Sequence, residues 1–463
     1  MELAQSEQRI REKMSTRGLP ATAVDGFLAL VRRLHTERSA YIPLDEVSAP
    51  DSSLILDPAS EPDELRHLES LGLDLVSRAV VIKLNGGRST TMGGEVPKGT
   101  LIAKDGRSYL DIIAGQMKAF ERRWGTTVPL VLMNSFFTHN PTLEVVRDFE
   151  VPVRTFVQSQ VPRLVRDTLE PLETGTDEDW APPGHGDVYD SLKWSGLLDR
   201  LLAQGRRIAF ISNLDNLAAT LEPWILGLIE EEGVEFLMEV TPRTEVDRKG
   251  GTLVVRDGRL DLLEIAQVAP EERDRFMDIN EYRVFNTNSV WVDLKALSKA
   301  LETNALRMPV IRNDKSVAGS EIIQLETAMG SAIGSFAQAK GLKVDRDRFF
   351  PTKKVEDLFL LQSDACILDD MDRVRRNPDR PADLPLRPKV VFDEGFLESP
   401  LRMKERFEDA STVSLVRAAS FEVKGPVYFD KNVRIEGNVT IEAPDGETYR
   451  IPRGSVLKDG KYP

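Results

Sequence analysis

The sequence predicts an α/β chain built on a parallel or mixed central sheet, followed by a separate C-terminal β domain. Three observations lead there. The 463 residues exceed the roughly 250–300 at which a single core stops growing, so more than one structural unit is expected. From about residue 76, short β-branched runs alternate with amphipathic stretches, the pattern of a sheet covered by helices on both faces. Near the end, apolar residues recur at every sixth position, which suits the coils of a β-helix. The division read from these signals is 1–50, 51–380 and 381–463.

Taken in order, the first unit is a helical piece. Val24, Phe27, Leu28, Val31 and Leu34 follow helical spacing before the Pro-containing segment Tyr41 to Pro50, and they offer an apolar face to the main domain. In the second unit, Ala79–Leu84, Val128–Met133, Val153–Val157, Ile208–Ser212 and Phe236–Val240 read as strands. Leu110–Arg123, Thr142–Phe149, Lys193–Gln204 and Ala218–Glu231 read as the helices between them. Ligands in such sheets bind beyond the carboxyl ends of the strands. In the third unit Leu415, Phe421, Val427, Val433 and Val439 share the six-residue spacing, with Phe429, Ile435 and Ile441 two places later. A pair of ordinary hairpins with inward valines is the alternative.

Composition narrows the function. No apolar run approaches the ~20 residues that span a bilayer, and the start MELAQSEQRIREK lacks a secretory apolar core. One cysteine, Cys366, cannot form an internal disulfide, and with four histidines it makes a Cys/His zinc site a poor expectation. These facts suit a soluble cytoplasmic protein. The net charge of −14 repels nucleic acid, so an anionic substrate must be held by local cations and backbone amides.

Five stretches could supply them. Lys83-Leu84-Asn85-Gly86-Gly87-Arg88-Ser89-Thr90-Thr91-Met92 through Pro97-Lys98 leaves a strand in a glycine-rich loop, where backbone N–H groups can approach a phosphate. It is neither a dinucleotide-binding G-x-G-x-x-G nor a P-loop, and Lys98 after Pro97 can set a cation on a polyphosphate. Pro182-Pro183-Gly184-His185-Gly186-Asp187 holds a histidine between glycines, which takes it out of ordinary core packing. Ile208 to Asn213 runs into Asp215-Asn216, a carboxylate positioned to hold Mg²⁺ against a triphosphate. The plainer role of Asp215 or Asn216 is to cap a helix beginning near Leu217. Phe285-Asn286-Thr287-Asn288 offers amides for sugar hydroxyls. Phe349-Phe350-Pro351-Thr352-Lys353-Lys354 can turn a lysine inward, although paired lysines are usually solvated.

In order along the chain, KLNGG, VPLVLMNSF, PPGHGDVY, SNLDNL, MEVTPRT, LLEIAQV, FNTNSVWV, QLETAMG and FFPTKKVEDLFLLQSD resemble the eukaryotic-type UTP–glucose-1-phosphate uridylyltransferases over roughly residues 76–460. The resemblance implies a Rossmann-like nucleotidyltransferase domain followed by a left-handed β-helix. It implies an Mg²⁺-dependent, reversible reaction of UTP with glucose 1-phosphate that gives UDP-glucose and pyrophosphate. Carried over by position, Gly86 and Gly87 approach the nucleotide, Met133, Gln158 and Gly184 surround uracil, and Lys98 and His185 meet phosphates. Asp215 holds Mg²⁺. His185, Asn213, Glu239, Asn286 and Asn288 serve the sugar side, and Lys353 bridges the phosphates of both substrates.

Two departures stand out. The family loop Gly-Gly-Leu-Gly-Thr is here Gly86-Gly87-Arg88-Ser89-Thr90. A left-handed backbone at Ser89 would cost roughly 1–2 kcal/mol, and Arg88 could offer its guanidinium to the triphosphate. The chain also stops soon after Val456-Leu457, short of the segment by which some relatives form large oligomers, so a monomer or homodimer is expected. The competing functions are a broader UDP-sugar or UDP-N-acetylhexosamine pyrophosphorylase and a catalytically weak nucleotide-sugar sensor or scaffold.

Overall fold

The computed structural model describes residues 2–36, 41–57, 62–87, 92, 96–393, 395, 397, 399–444 and 446–463. At its centre lies an eight-stranded mixed sheet. Its order is Ile55–Leu56, Ala339–Lys343, Phe236–Pro242, Val284–Asp293, Ile208–Asn213, Ala79–Asn85, Leu130–Asn134 and Val153–Val157. Val284–Asp293 runs antiparallel to both its neighbours, and every other pairing is parallel. Ala79–Asn85 is buried along its whole length, as expected of a parallel strand covered on both faces. The period-two geometry sends Ala79 and Val81 into one apolar core and Val80, Ile82 and Leu84 into the other.

Helix ends follow local chemistry. Tyr109–Trp124 starts at Ser108, whose hydroxyl accepts from the Asp111 N–H while the Asp111 carboxylate accepts from the Ser108 N–H, and it ends at Gly125 with φ +68°. The helix expected over Lys193–Gln204 is instead two, Val188–Trp194 and Leu197–Ala203, because Gly196 takes φ +67° between them. That expected over Thr142–Phe149 is shifted to His139–Val146. The helix expected from Ala218 begins at Pro223. Proline disfavours a helical backbone in the residue before it, and Glu222 is extended at φ −125° and ψ 122°. Asp215 and Asn216 therefore cap no helix.

The N-terminal piece is two helices, Glu2–Thr16 and Ala21–Thr36. Ile10, Met14, Val24, Phe27, Leu28 and Val31 share a core with Val161, Leu164, Trp180, Ile323 and Leu325, so the pair packs on the main body. No helix among the described residues is long and apolar enough to cross a membrane.

Near the C-terminus, Lys389–Phe392, Ser414–Lys424, Arg434–Glu442 and Val456–Tyr462 form one four-stranded sheet, and Val427–Phe429 pairs with Tyr449–Ile451. Every pairing in both sheets is parallel, which excludes the hairpin alternative. Phe421 faces Val439 and Val423 faces Ile441, an offset of 18 residues, or three of the six-residue repeats. The next offset, Phe429 to Ile451, is 22 residues, so the repeat in the sequence registers one turn only. All eight repeat residues are buried. Phe359, on the helix Val355–Gln362, packs against Phe392, Phe407 and Phe421, which seats the Lys353-Lys354 turn where the two regions meet.

Candidate active site

Polar residues cluster where parallel strands end. Asn85 and Asn134 are paired in register, and Asn213 closes its strand beside Leu84. Beyond these ends opens a cavity of about 340 Å³ lined by Gly86, Gly87, Lys98, Met133, Gln158 and Gly184, and by His185, Asn213, Asp215, Asn288 and Lys353 from the same expected set. Side chains drawn from positions 98 to 353 thus converge on one space.

Its electrostatic centre is Asp215. Lys98 Nζ donates to Asp215 Oδ2 at 2.9 Å and to the Thr352 carbonyl at 2.8 Å, and Lys353 Nζ stands 3.3 Å from the same carboxylate oxygen. Burial would push the Asp215 carboxyl up, but the charges and hydrogen bonds of Lys353 and Lys98 hold it below the ordinary carboxylate value. The other oxygen, Oδ1, is buried with no hydrogen-bond partner among the described residues. A buried orphan acceptor is costly unless something else occupies it.

Backbone contacts hold this centre in place. The Thr352 N–H donates to the Asp215 carbonyl at 3.2 Å, and Asn216 bridges the Arg348 carbonyl and the Phe350 N–H. Asp357 Oδ2 accepts from the N–H groups of both Lys353 and Lys354 at 2.8 Å. Asp357 was not singled out from the sequence, although it lies in the stretch that carries Lys353. Glu326, on the cavity wall, was missed likewise; it sits in the QLETAMG stretch.

The histidine loop is built by its glycines. Gly184 has φ +84°, and a Cβ there would lie 2.5 Å from the Thr327 carbonyl oxygen. At Gly186 a Cβ would lie 2.4 Å from Thr327 Oγ1. The loop is thereby pressed onto Thr327, whose N–H donates to the Pro183 carbonyl. His185 Nδ1 accepts from the Met329 N–H at 2.9 Å. Burial, aided by the charge of Lys353, pushes this imidazole down to about 4, so it is neutral near pH 7 and carries its proton on Nε2.

Across the cavity, a bulge sets Asn288. Met238 pairs with Val290 and Val240 with Asn286, so Glu239 alone opposes three residues. Asn288 takes φ +59°, and its N–H donates to Asn286 Oδ1 at 2.8 Å. Glu239 and Asn286, expected on the sugar side, stand behind the cavity rather than in its wall. The Glu239 carboxylate is fully buried, taking Trp291 Nε1–H at 2.9 Å and two Arg348 donors at 2.7 and 3.1 Å. Arg88 and Ser89 lie outside the described residues.

A glycine-rich loop, two lysines and one carboxylate at the carboxyl ends of parallel strands define a polyphosphate-handling α/β transferase. The family model described as UTP–glucose-1-phosphate uridylyltransferase matches residues 24–436. The Hordeum vulgare enzyme of that name is 41% identical over 448 residues, covering 94% of this chain and 92% of its own. The Saccharomyces cerevisiae enzyme is 36% identical, with 94% and 87% covered. Among solved structures, a mutant UDP-glucose pyrophosphorylase from Leishmania major in complex with UDP-glucose aligns with a TM-score of 0.87 at 34% identity, covering 98% of both chains. A Trypanosoma brucei UDP-glucose phosphorylase aligns with a TM-score of 0.86 at 34% identity, covering 99% of both. The chain belongs to the UTP–glucose-1-phosphate uridylyltransferase family.

Proposed function

We infer that the chain is a nucleotidyltransferase that joins UTP to glucose 1-phosphate, giving UDP-glucose and pyrophosphate. The observation that carries this reading is the Lys98–Asp215–Lys353 cluster in a cavity of a chain from this family. A phosphate oxygen of glucose 1-phosphate attacks the α-phosphorus of UTP in line; the new P–O bond forms as the bond to pyrophosphate breaks. Both reactants are anions, so the task is to offset repulsion and align them, with no covalent enzyme intermediate required. Lys98 and Lys353 supply positive charge, and both are held by Asp215 until phosphates arrive. Gly86 leaves room for Gln158, whose Nε2 would lie 2.8 Å from a Cβ there. With Met133 and Gly184, Gln158 receives the uracil. The neutral His185 donates from Nε2 to a substrate oxygen, and Asn213 and Asn288 take sugar hydroxyls. Glu239 and Asn286 act on the sugar by shaping the bulge that presents Asn288.

The orphaned Asp215 Oδ1 fits Mg²⁺, which is commonly held by one or two carboxylates together with substrate phosphates. No group of three or more His, Cys, Asp or Glu suited to a metal occurs among the described residues, so Asp215 is the ligand we assign. When bound, Mg²⁺ neutralises phosphate charge.

The same reading takes the C-terminal region as a left-handed β-helix, supported by the parallel pairing and the 18-residue offset, and keeps the division at 1–50, 51–380 and 381–463. It assigns a monomer or homodimer. The outer strand Val456–Tyr462 carries Lys458 and Lys461, which discourage edge-to-edge growth. The buried Cys366 thiol, pushed up by burial, suits a reducing cytoplasm. Pyrophosphate release from UTP, glucose 1-phosphate and MgCl₂ tests the activity, with ATP, CTP, galactose 1-phosphate and N-acetylglucosamine 1-phosphate as comparisons. Absence of turnover with the first pair would overturn it.

A further inference from the structure

Against the face of the central sheet that carries Val81 and Phe210 lies a second cavity, of about 300 Å³, that the reaction does not use. Lys83 stands at its inner end, on the same face of its strand as Val81, and the residue is 2% exposed. Its Nζ donates to Ser212 Oγ and to the Ala219 carbonyl, each at 2.7 Å, and lies 5.3 Å from the Phe210 ring centroid. An ammonium has three N–H donors, so these two acceptors leave one. Part of the wall is apolar, with Ile113, Met117 and Phe120 from one helix and Leu221 and Phe210 from across it, and polar and charged side chains complete the lining. At the rim Arg123 lies over Trp124, 5.2 Å from its ring centroid.

We propose that this cavity is an accessory binding site for a small carboxylate with an aryl or branched-alkyl body, whose carboxylate takes the remaining Lys83 N–H while the body fills the apolar walls. Lys83, with Val81, Ile113 and Phe210 in the same lining, suits a singly charged head on an apolar body. A phosphate dianion would need more donors than the one N–H that Lys83 has left, whereas a carboxylate oxygen is met by it. Three acidic groups, Glu69, Glu222 and Asp370, and two arginines, Arg123 and Arg373, also line the cavity, and Glu222 is engaged by Arg348, Arg373 and the Thr220 hydroxyl.

Occupancy reaches the catalytic cleft through two tethers. Ser212 directly precedes Asn213, and Ala219 closes the segment that carries Asp215; both are held by the same Nζ. Drawing the ammonium toward a ligand changes the support beneath Asp215. The charged groups acting on Lys83 are Arg348, which disfavours its proton, and Glu239 and Asp215, which favour it. Burial, aided by Arg348, outweighs Glu239 and Asp215 and brings the group to about 7. Binding of a carboxylate therefore takes up a proton near neutral pH.

The test uses the full chain with 3-phenylpropionate, and 3-phenylpropionamide as the uncharged control, followed by calorimetry and ligand-detected NMR. Binding of the acid should weaken about tenfold or more between pH 6.5 and 8.5 as Lys83 loses its proton. The amide should bind more weakly and without pH dependence. Met117→Trp, which fills the cavity without touching Lys83 or the cleft, should abolish binding and preserve turnover measured without the acid. Lys83→Met should remove the preference for acid over amide; if that variant does not fold, Met117→Trp decides. Saturating acid should change the KM for UTP or the turnover about twofold or more in the wild type and leave Met117→Trp unmoved. Equal binding of acid and amide, or no binding of either, would overturn the site. Unchanged kinetics at saturation would overturn its link to the cleft.

Discussion

The cleft at the strand ends and the cavity against one face of the sheet treat lysine differently. At the cleft, Lys98 and Lys353 share the carboxylate of Asp215. In the second cavity Lys83 donates to a hydroxyl and a carbonyl, and burial brings its ammonium down to about 7. A cation that must meet phosphates is held beside an anion until substrate arrives. One sealed among apolar groups gives up its proton instead. Arg348 links the two sites, binding Glu239 behind the cleft and Glu222 at the rim of the second cavity.

The largest expected effect tests that link. Arg348→Met leaves the fully buried Glu239 without its cation, while Glu222 keeps Arg373, and should cost about 3–5 kcal/mol of stability in urea denaturation; a loss near zero would mean that the two sites are not linked there. Next, Lys353→Ala should lower turnover at least ~100-fold with stability little changed, because its side chain is 58% exposed. Near-normal steady-state turnover removes Lys353 from the mechanism.

A smaller effect sharpens the contrast in protonation. Lys83 titrates near 7 when folded and near ~10.4 when unfolded, so between those values the unfolded chain binds more protons. Its contribution to stability therefore rises with pH across that window, with a slope of at most ~1.4 kcal/mol per pH unit. Lys83→Met should flatten the rise in urea midpoint from pH 7 to 9.5, and an unchanged slope would assign it to other groups. The smallest effect concerns His185, which is neutral above about 4. Its ionisation should leave no inflection near pH 6–6.5 in kcat/KM. An inflection there that is absent from His185→Gln would show that it titrates in the working range.

Much of the site was legible because its chemistry is carried on short, contiguous stretches. Gly86, Lys98, Gly184, His185, Asp215 and Lys353 all sit on turns that follow strands or prolines, and all line one cavity. Glu239 and Asn286 were misjudged in position because a bulge, which depends on pairing between distant strands, swings Asn288 forward and leaves them behind. The helix expected at Ala218 failed through one residue, Pro223. In the C-terminal region the sixfold spacing showed which side chains turn inward, but pairing direction and the change from an 18- to a 22-residue offset belong to contacts between strands.

By itself the sequence determined the alternation of strand and helix, the glycine turns, the inward apolar residues and the family. Those follow from local backbone preference and side-chain pattern, which a linear chain carries in full. Only the tertiary structure decided that Asp215 binds two lysines and keeps one oxygen unpartnered among the described residues, that Arg348 binds both Glu239 and Glu222, and that Lys83 is buried against a second cavity. These depend on which distant groups share a low-dielectric space, and burial sets the charge state of a side chain as firmly as its chemistry does.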